Sequence, residues 1–389
     1  MPRRLGRVTP VMTPVTFPDD VPVLSDGVVT LRAHTPSDAE GVREQCVDPV
    51  SIRWTTVPLR YTLDDALSFV TTRVPAAWDE GHTVLAVEAT DDTGRARFCG
   101  TVELRDEGGD RAEIAYGAHP WARGRGIMHR ALQLLLAYGF DELGLRSVVW
   151  WAHRGNWASR RTAWRLGFTC DGTVERWLSQ RGELVDAWVG VLHPDDERAP
   201  RTDWLEVPRL EADGLVLRAP RPSDAERVVT ACQDERTAYW LARMPSPYTL
   251  ADAHDYLESR IEQQATTAGL TWFLADPVTD DLLGALSLFD LKPGRDAEMG
   301  YWTHPDARGK GVMTRAARTV LRHALTPADR GGMGLVRVQV SHADGNDASR
   351  HVIEQCGFTS TGRERRALRL RDDRLVDCLT YDLLADELS

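Results

Sequence analysis

Lysine, closely spaced cysteines and long apolar runs are scarce or missing in this sequence. Among the 47 basic residues only Lys292 and Lys310 are lysines, a bias that we attribute to a GC-rich genome. The six cysteines are scattered, with no CxxC pair and no Cys/His cluster at metal-ligand spacing, which predicts reduced thiols, a cytoplasmic protein and no metal site. Because no apolar stretch is long enough to cross a bilayer, we expect no membrane span.

A surplus of positive charge is also missing. The formal net charge is −11, and a protein that neutralises the phosphates of a nucleic acid needs an excess of arginine and lysine. We therefore expect no nucleic-acid partner, and a basic or amine-bearing partner fits the charge better. The 389 residues exceed what one hydrophobic core usually organises, which predicts two domains.

What the sequence does contain is a long internal repeat. LRAHTPSDAE from Leu31 returns as LRAPRPSDAE from Leu217, HPWARGRGIM at 119–128 returns as HPDARGKGVM at 304–313, and RGNWASRR from Arg154 returns as DGNDASRH from Asp344. Between the last two blocks the second copy gains a turn-rich segment, TPADRGGMGL, of the kind that a surface connection tolerates. We predict an N-terminal tail over 1–21, one domain over 22–193, a linker over 194–209 and a second domain over 210–389.

Each copy alternates strand and helix patterns. A strand is followed by a helix capped at Ser37 or Ser223, a longer helix, three strands, a glycine doublet, an amphipathic helix, another strand, a short helix and two final strands. Cys46 and Cys232 occupy the same place in the first helix and are expected to be buried core residues. This order predicts a mixed α/β domain, present twice.

The glycine doublet has a geometry suited to an anion. In both copies a strand leads through RGRG or RGKG into the first turn of a helix, where unpaired backbone N–H groups and the positive end of the helix dipole coincide. Glycine would let a pyrophosphate approach the backbone, and Arg125 or Lys310 would add charge. The alternative is a tight turn whose glycines merely fit it.

Asn-x-x-Ser follows on the next helix in both copies, at Asn156–Ser159 and Asn346–Ser349, and a Gly-Phe pair ends that helix. With these residues both halves resemble the GNAT superfamily of acyl-CoA-dependent N-acetyltransferases, in its RimJ/RimL-like branch. The resemblance implies two tandem GNAT domains, each a mixed, splayed β-sheet flanked by helices. Its fourth strand would part from its fifth to leave a slot for pantetheine.

The same resemblance implies acetyl-CoA as the cofactor and assigns residues to it. Asn156 and Asn346 would bond the pantetheine. The pyrophosphate would lie on the turn formed by Arg123, Gly124, Arg125, Gly126 and Ile127 in the first copy, and by Arg308, Gly309, Lys310, Gly311 and Val312 in the second.

Transfer of an acetyl group from a thioester to an amine needs a base for the amine and a proton for the departing thiolate. By resemblance the base is Glu113 or Glu298, although each could equally be a solvated carboxylate, and Glu103 and Asp106 are alternatives in the first copy.

The position where many GNAT enzymes carry a tyrosine acid holds Ala163 and Ile353. Ser159 and Ser349 therefore take over that role by resemblance, unless they only begin a helix together with the asparagines.

Two further residue pairs recur without a firm assignment. His119 and His304 precede a proline, where a structural role is more common than a titrating one. Trp54 and Trp240 fall in the segment that forms the acceptor-side wall in this superfamily, and packing competes there with substrate stacking.

The predicted function is acetyl transfer from acetyl-CoA to a primary amine of a small molecule or a peptide N terminus, by direct attack in a ternary complex. A non-catalytic acyl-CoA-binding or sensing protein and an acyltransferase for another acyl-CoA are the alternatives. We expect two acetyl-CoA molecules per chain. We also expect the second copy to carry the chemistry, because Trp157 and Trp164 add bulk to the first copy and the second has Glu354 in place of Trp164.

Overall fold

The computed structural model describes residues 21–241 and 243–388. The chain divides into two compact units, Met1–Thr202 and Asp203–Ser389, which we call domain one and domain two. The division falls inside the segment predicted as a linker. The predicted N-terminal tail lies, except for residue 21, outside the described residues.

Domain one contains one eight-stranded sheet in the order β1-β2-β3-β4-β5-β6-β8-β7. The strands are β1 (Leu24–Ser25), β2 (Val29–Arg32), β3 (Thr83–Thr90), β4 (Ala96–Asp106), β5 (Arg111–Ala118), β6 (Ser147–His153), β7 (Gly172–Gln180) and β8 (Glu183–Leu192). The helices are α1 (Ala39–Val47), α2 (Pro49–Trp54), α3 (Leu63–Ser68), α4 (Val74–Asp79), α5 (Ile127–Ala137) and α6 (Trp157–Arg165). A π-helical turn at Phe69–Arg73 joins α3 to α4.

Domain two repeats this plan with the sheet order β15-β16-β14-β13-β12-β11-β10-β9. Its strands are β9 (Leu210–Ala212), β10 (Leu215–Arg218), β11 (Gly269–Ala275), β12 (Leu282–Lys292), β13 (Asp296–Thr303), β14 (Arg337–Ala343), β15 (Thr359–Arg369) and β16 (Leu375–Leu384). Its helices are α7 (Ala225–Gln233), α8 (Glu235–Trp240), α9 (Leu250–Ala265), α10 (Val312–Leu325) and α11 (Asp347–Gln355). The two sheets confirm the predicted fold class.

The start of the first helix differs from the prediction. Pro36–Asp38 forms a 3-10 turn before α1 begins at Ala39, so Ser37 lies inside that turn and does not cap the helix. The buried carboxylate of Asp38 accepts the amide of Thr35 at 2.8 Å and pairs with Arg32 at 2.8 Å. The Asp38 carboxylate thus fixes the turn that precedes the helix, and it makes no side-chain cap bond to the first-turn amides of α1.

The helices that follow the glycine doublets pack as their periodicity predicts. Ala131, Leu132, Leu135 and Leu136 of α5 are fully buried against the sheet. The corresponding face of α10, from Met313 to Leu321, is equally buried. This packing fixes where the N-terminus of each helix lies.

Within the part of the chain that the structure describes, each sheet has one parallel pairing, and that pairing is incomplete. β5 pairs with β6 from Arg111 opposite Ser147 to Ile114 opposite Trp150, although β5 continues to Ala118. In domain two the corresponding pairing of β13 with β14 ends at Met299 opposite Val340. Beyond these points the strands part and leave a slot, as the resemblance implied for the fourth and fifth predicted strands.

Candidate active site

The glycine turns, Arg123–Gly126 and Arg308–Gly311, lie where each slot meets a helix. All four glycines have left-handed backbones, with φ of 72° and 75° at Gly124 and Gly126 and of 70° and 66° at Gly309 and Gly311, a conformation that suits glycine best. Gly126 and Gly311 are the N-cap residues of α5 and α10. A glycine brings no side chain to cap the first-turn amides, so these amides remain available to an anion.

The charged residues inside the turns bond to the protein itself. Arg125 pairs with both carboxylate oxygens of Asp92, at 2.7 and 2.9 Å. The ammonium of Lys310 donates to the carbonyl of Asp306 at 2.8 Å. Backbone amides are therefore the groups that the turn presents most directly to an anion.

The arginine that opens each turn reaches towards another helix. Arg123 contacts Asp48 at 2.7 Å and the hydroxyl of Ser51 at 3.0 Å. Arg308 contacts Asp234 and donates to the hydroxyl of Thr237 at 2.7 Å. The aspartates are the N-caps of α2 and α8, so each arginine side chain is bonded to the beginning of a neighbouring helix, and the predicted cofactor contact is left to the backbone of the turn.

Asn-x-x-Ser caps the next helix in both domains. The side-chain oxygens of Asn156 and Asn346 accept the amides of Ser159 and Ser349 at 3.2 Å. The capping interpretation is therefore correct for the asparagines. The cap uses only the side-chain oxygen of each asparagine as an acceptor.

A tyrosine that sequence reasoning did not select meets each serine. The hydroxyls of Tyr116 and Ser159 are 2.9 Å apart, as are those of Tyr301 and Ser349. Burial raises the pKa of both tyrosines to about 12, against the opposing effect of the serine hydrogen bond, so both phenols stay protonated at neutral pH. The repeated AEIAY and AEMGY blocks could have shown these tyrosines as a shared feature.

Domain one differs in having a third group at the serine. The indole N–H of Trp150 donates to the Ser159 hydroxyl at 3.1 Å, whereas β14 has Val340 at the corresponding position beside β13. The hydrogen-bond surroundings of the two serines are therefore similar but not identical.

A cavity of about 480 Å³ in domain two is lined by most of the site residues predicted for that domain. Its lining includes the site residues Tyr301, Arg308, Gly309, Gly311, Val312, Asn346 and Ser349. Opposite the glycine turn, α8 contributes Arg236, Thr237 and Trp240, followed by Leu241. Trp240 therefore faces the cavity, in addition to packing edge-on against Tyr239 with ring centroids 4.8 Å apart.

The predicted base of domain two, Glu298, does not line this cavity. Ala297 and Met299 of β13 enter the core that α10 covers, and side chains alternate along a strand, so Glu298 faces the opposite way from Tyr301. Glu298 is one residue before the strands part. It accepts the hydroxyl of Ser341 at 3.3 Å. Burial, with Asp290 and Glu364 adding to it, raises the pKa of Glu298.

Glu113 has a different neighbour. Its cross-strand partner is Arg105, whose guanidinium lies 3.2 Å from Glu113 and 2.9 Å from Glu103. At the matching position in domain two the partner of Glu298 is Phe289. Burial raises the pKa of Glu113, although Arg105 opposes the rise. Two of the three carboxylates of domain one that were considered as bases, Glu103 and Glu113, are thus bonded to one arginine.

The remaining alternatives have structural partners. Asp106 accepts the amide of Gly108 at 2.8 Å in a turn. His119 and His304 accept the amides of Trp121 and Asp306 at 3.3 Å and so cap a 3-10 turn, which is the structural role expected for them.

The two tryptophans that add bulk to the first copy, Trp157 and Trp164 of α6, both bond or pack within domain one. Trp164 turns outward and donates to the carbonyl of Thr202 at 2.7 Å, and Glu354 is exposed. The ring of Trp157 packs on buried Trp188, with centroids 4.6 Å apart. These positions therefore give no reason to prefer one domain.

Comparison with known proteins agrees with this geometry. The domain family described as Acetyltransferase (GNAT) domain matches residues 29–169 and 214–359. The chain belongs to the GNAT acetyltransferase family. It carries the family's domain twice, which confirms the predicted resemblance, fold and enzyme class.

Individual relatives each correspond to about one GNAT domain. "Putative ribosomal N-acetyltransferase YdaF" of Bacillus subtilis (strain 168) is 32% identical over 178 residues, covering 44% of this chain and 92% of that protein. "Uncharacterized N-acetyltransferase YoaA" of the same organism is 27% identical over 159 residues, covering 40% and 85%. A solved structure of Mycobacterium smegmatis RimJ in complex with CoA-disulfide is 22% identical, with a TM-score of 0.41, and covers 47% of this chain and 88% of that chain.

Two kinds of feature are absent from the described ranges, 21–241 and 243–388. These ranges contain no helix with the length and apolar character of a membrane span. Within the same ranges, no three histidine, cysteine or acidic side chains are grouped so that they could hold a metal ion.

Proposed function

We propose that this GNAT protein transfers an acetyl group from acetyl-CoA to a primary amine, either of a small molecule or of a peptide N terminus. The observation that carries the proposal is the cavity of domain two, which brings the left-handed glycine turn together with Asn346 and Ser349. An anion-binding turn at one end and a hydroxyl at the other match a ligand with a pyrophosphate and a distant thioester.

The residues fit such a ligand in two respects. The first-turn amides of α10 lie behind Gly309 and Gly311, and a Cβ atom built at Gly309 would meet nothing within 4 Å, so a phosphate can approach. The cavity that holds this turn also reaches Asn346 and the part of β13 beyond its last pair with β14. When bound, acetyl-CoA would supply the thioester carbonyl and the thiolate leaving group.

Two groups of the chain would handle the protons. Ser349 would donate to the departing sulfur, supported by the phenol of Tyr301 at 2.9 Å. Glu298 would accept the proton of the amine from the opposite face of the sheet, and the raised pKa brings this carboxylate closer to the working range of a base. No covalent enzyme intermediate is needed, because the amine attacks directly.

Domain two is the better candidate for the chemistry. Glu298 lies beside Phe289 and accepts one hydrogen bond from Ser341, whereas Glu113 is held by Arg105. A carboxylate paired with a guanidinium is a weaker base, because the positive charge favours its ionised form. Domain one would then bind acyl-CoA without equal turnover.

A thiol-release assay over a panel of amines and N-terminal peptides, with acetyl-, propionyl- and succinyl-CoA compared, tests the proposal. We expect release of CoA with acetyl-CoA and at least one amine. Release of CoA only with propionyl- or succinyl-CoA would show that the protein transfers a different acyl group. Binding of acetyl-CoA without turnover of any amine would support the alternative of a non-catalytic acyl-CoA-binding protein.

A further inference from the structure

The arginine that opens each glycine turn makes the same unusual contact in both domains. Arg308 bonds Asp234 and Thr237 at the beginning of α8. Arg123 bonds Asp48 and Ser51 at the beginning of α2. These pairs occupy repeat-equivalent positions, and a contact that recurs in two diverged copies is built into the fold.

The aspartate in each pair has two tasks. Asp234 caps α8 by accepting the amide of Thr237 at 2.9 Å, and it also receives the Arg308 guanidinium. The hydrogen bond from Arg308 lowers the pKa of Asp234 to about 2. In domain one, burial opposes the shift, but Arg123 and the Ser51 amide hold the pKa of Asp48 below its ordinary value. Both carboxylates are therefore ionised, and the pairs are charged at neutral pH.

The helix held in this way forms one side of the cavity. Thr237, Trp240 and Leu241 face the glycine turn across that space, and Arg308 lines it as well. The far end of α8 is fixed by Arg371 in the β15–β16 turn, which donates to the carbonyls of Ala238 and Met244 at 2.9 and 3.0 Å. We call residues 234–241 the α8 wall.

We propose that Arg308 is a positioning residue that couples the cofactor turn to the α8 wall through Asp234, and that Arg123 does the same for α2. An anion on the backbone amides restrains the turn, and the guanidinium, whose Nη2 bonds both Asp234 and Thr237, passes that restraint to the helix cap. Binding of CoA would thereby order the surface on which the amine must dock. This inference rests on the proposed function, because it assumes that CoA binds at the glycine turn.

Hydrogen exchange of the full-length chain, with and without CoA, tests the coupling. In the wild type we expect amides 235–241 to exchange roughly fivefold or more slowly once CoA is bound. Asp234→Asn keeps an N-cap residue but removes the charge, so we expect this variant to lose the slowing at 235–241 while its Kd for CoA changes by less than about threefold.

The matched control is Asp48→Asn in domain one. It should abolish CoA-induced slowing in α2 and leave the slowing at 235–241 intact. If wild-type protein binds CoA but the exchange rates of the α8 wall do not change, this inference is overturned and the proposed function is not. The inference is also overturned if Asp234→Asn weakens CoA binding more than about tenfold and the slowing is retained. Arg308 would in that case act by binding the phosphate. Absence of CoA binding to the wild type would instead overturn the proposed function, and the coupling with it.

Discussion

At the scale of single residues, the two domains differ most in the side chains that contact the predicted catalytic glutamates. Arg105 bridges Glu103 and Glu113, while the cross-strand neighbour of Glu298 is Phe289. The serines and their tyrosine partners are nearly the same in both copies. If proton transfer limits the rate, the carboxylate should therefore decide which domain turns over.

Paired substitutions test this division. With the best amine from the panel, Ser349→Ala with Glu298→Gln should lower kcat by about a hundredfold more than Ser159→Ala with Glu113→Gln. Steady-state thiol release measures both variants under one set of conditions. Equal losses would indicate two working domains, and a larger loss from the first-domain pair would reverse the assignment.

The raised pKa of Glu298 has a consequence for the pH profile. A base works in its deprotonated form, so kcat should rise with pH as Glu298 loses its proton, and the midpoint should lie above the ordinary glutamate pKa of 4.5. Glu298→Gln should remove this acidic limb, whereas Glu113→Gln should keep it. A profile that is the same in Glu298→Gln and the wild type would exclude this carboxylate as the base.

Tyr301 gives a test of the serine that is independent of the base. Tyr301→Phe removes the hydroxyl that lies 2.9 Å from Ser349, and loss of one such hydrogen bond should lower kcat by about tenfold with little change in the Kd for CoA. Tyr116→Phe is the matched variant in domain one and should lower kcat much less. A change in CoA affinity without a change in kcat would assign Tyr301 to binding.

At the scale of elements, the glycine turns are the features most open to a direct test. Gly311→Trp should block the pyrophosphate in domain two and lower the calorimetric CoA stoichiometry by one, with Gly126→Trp doing the same for domain one. Gly294→Trp is the control, because Gly294 also has a left-handed backbone, with φ of 67°, and open space around its Cβ position. A similar loss in the control would show that backbone strain, and not the blocked turn, is responsible.

Much of each element could be predicted from the sequence because its signals are local. The buried face of α10 follows from a period within one helix, and Gly311 ends its own turn with a left-handed φ. The Tyr301–Ser349 contact joins residues 48 positions apart, and it depends on how α11 packs on the splayed half of β13. The Arg105–Glu113 pair could not be predicted, because it depends on the register of β4 against β5, which the sequence pattern does not determine.

At the scale of the whole molecule, the duplication predicts two sites per chain. Both copies keep the left-handed glycines, the capping asparagine and the serine with its tyrosine. Titration calorimetry of the wild type should therefore give two CoA molecules per chain. A stoichiometry of one would show that one copy has lost binding, and the two tryptophan variants would identify it.

Each sheet has a strand edge in its middle, because β5 separates there from β6 and β13 from β14. In β5, residues 115–118 continue past the last β5–β6 pair at Ile114. A ligand with amide groups would pair with this backbone as a short additional strand. Binding would then raise the free energy of unfolding of each domain by about 2.7 kcal/mol when the ligand concentration is a hundred times Kd. In a thermal melt CoA should raise Tm more than ADP does at equal concentration, because only CoA carries the amide-bearing arm, and pairing of that arm with the strand would lower its Kd.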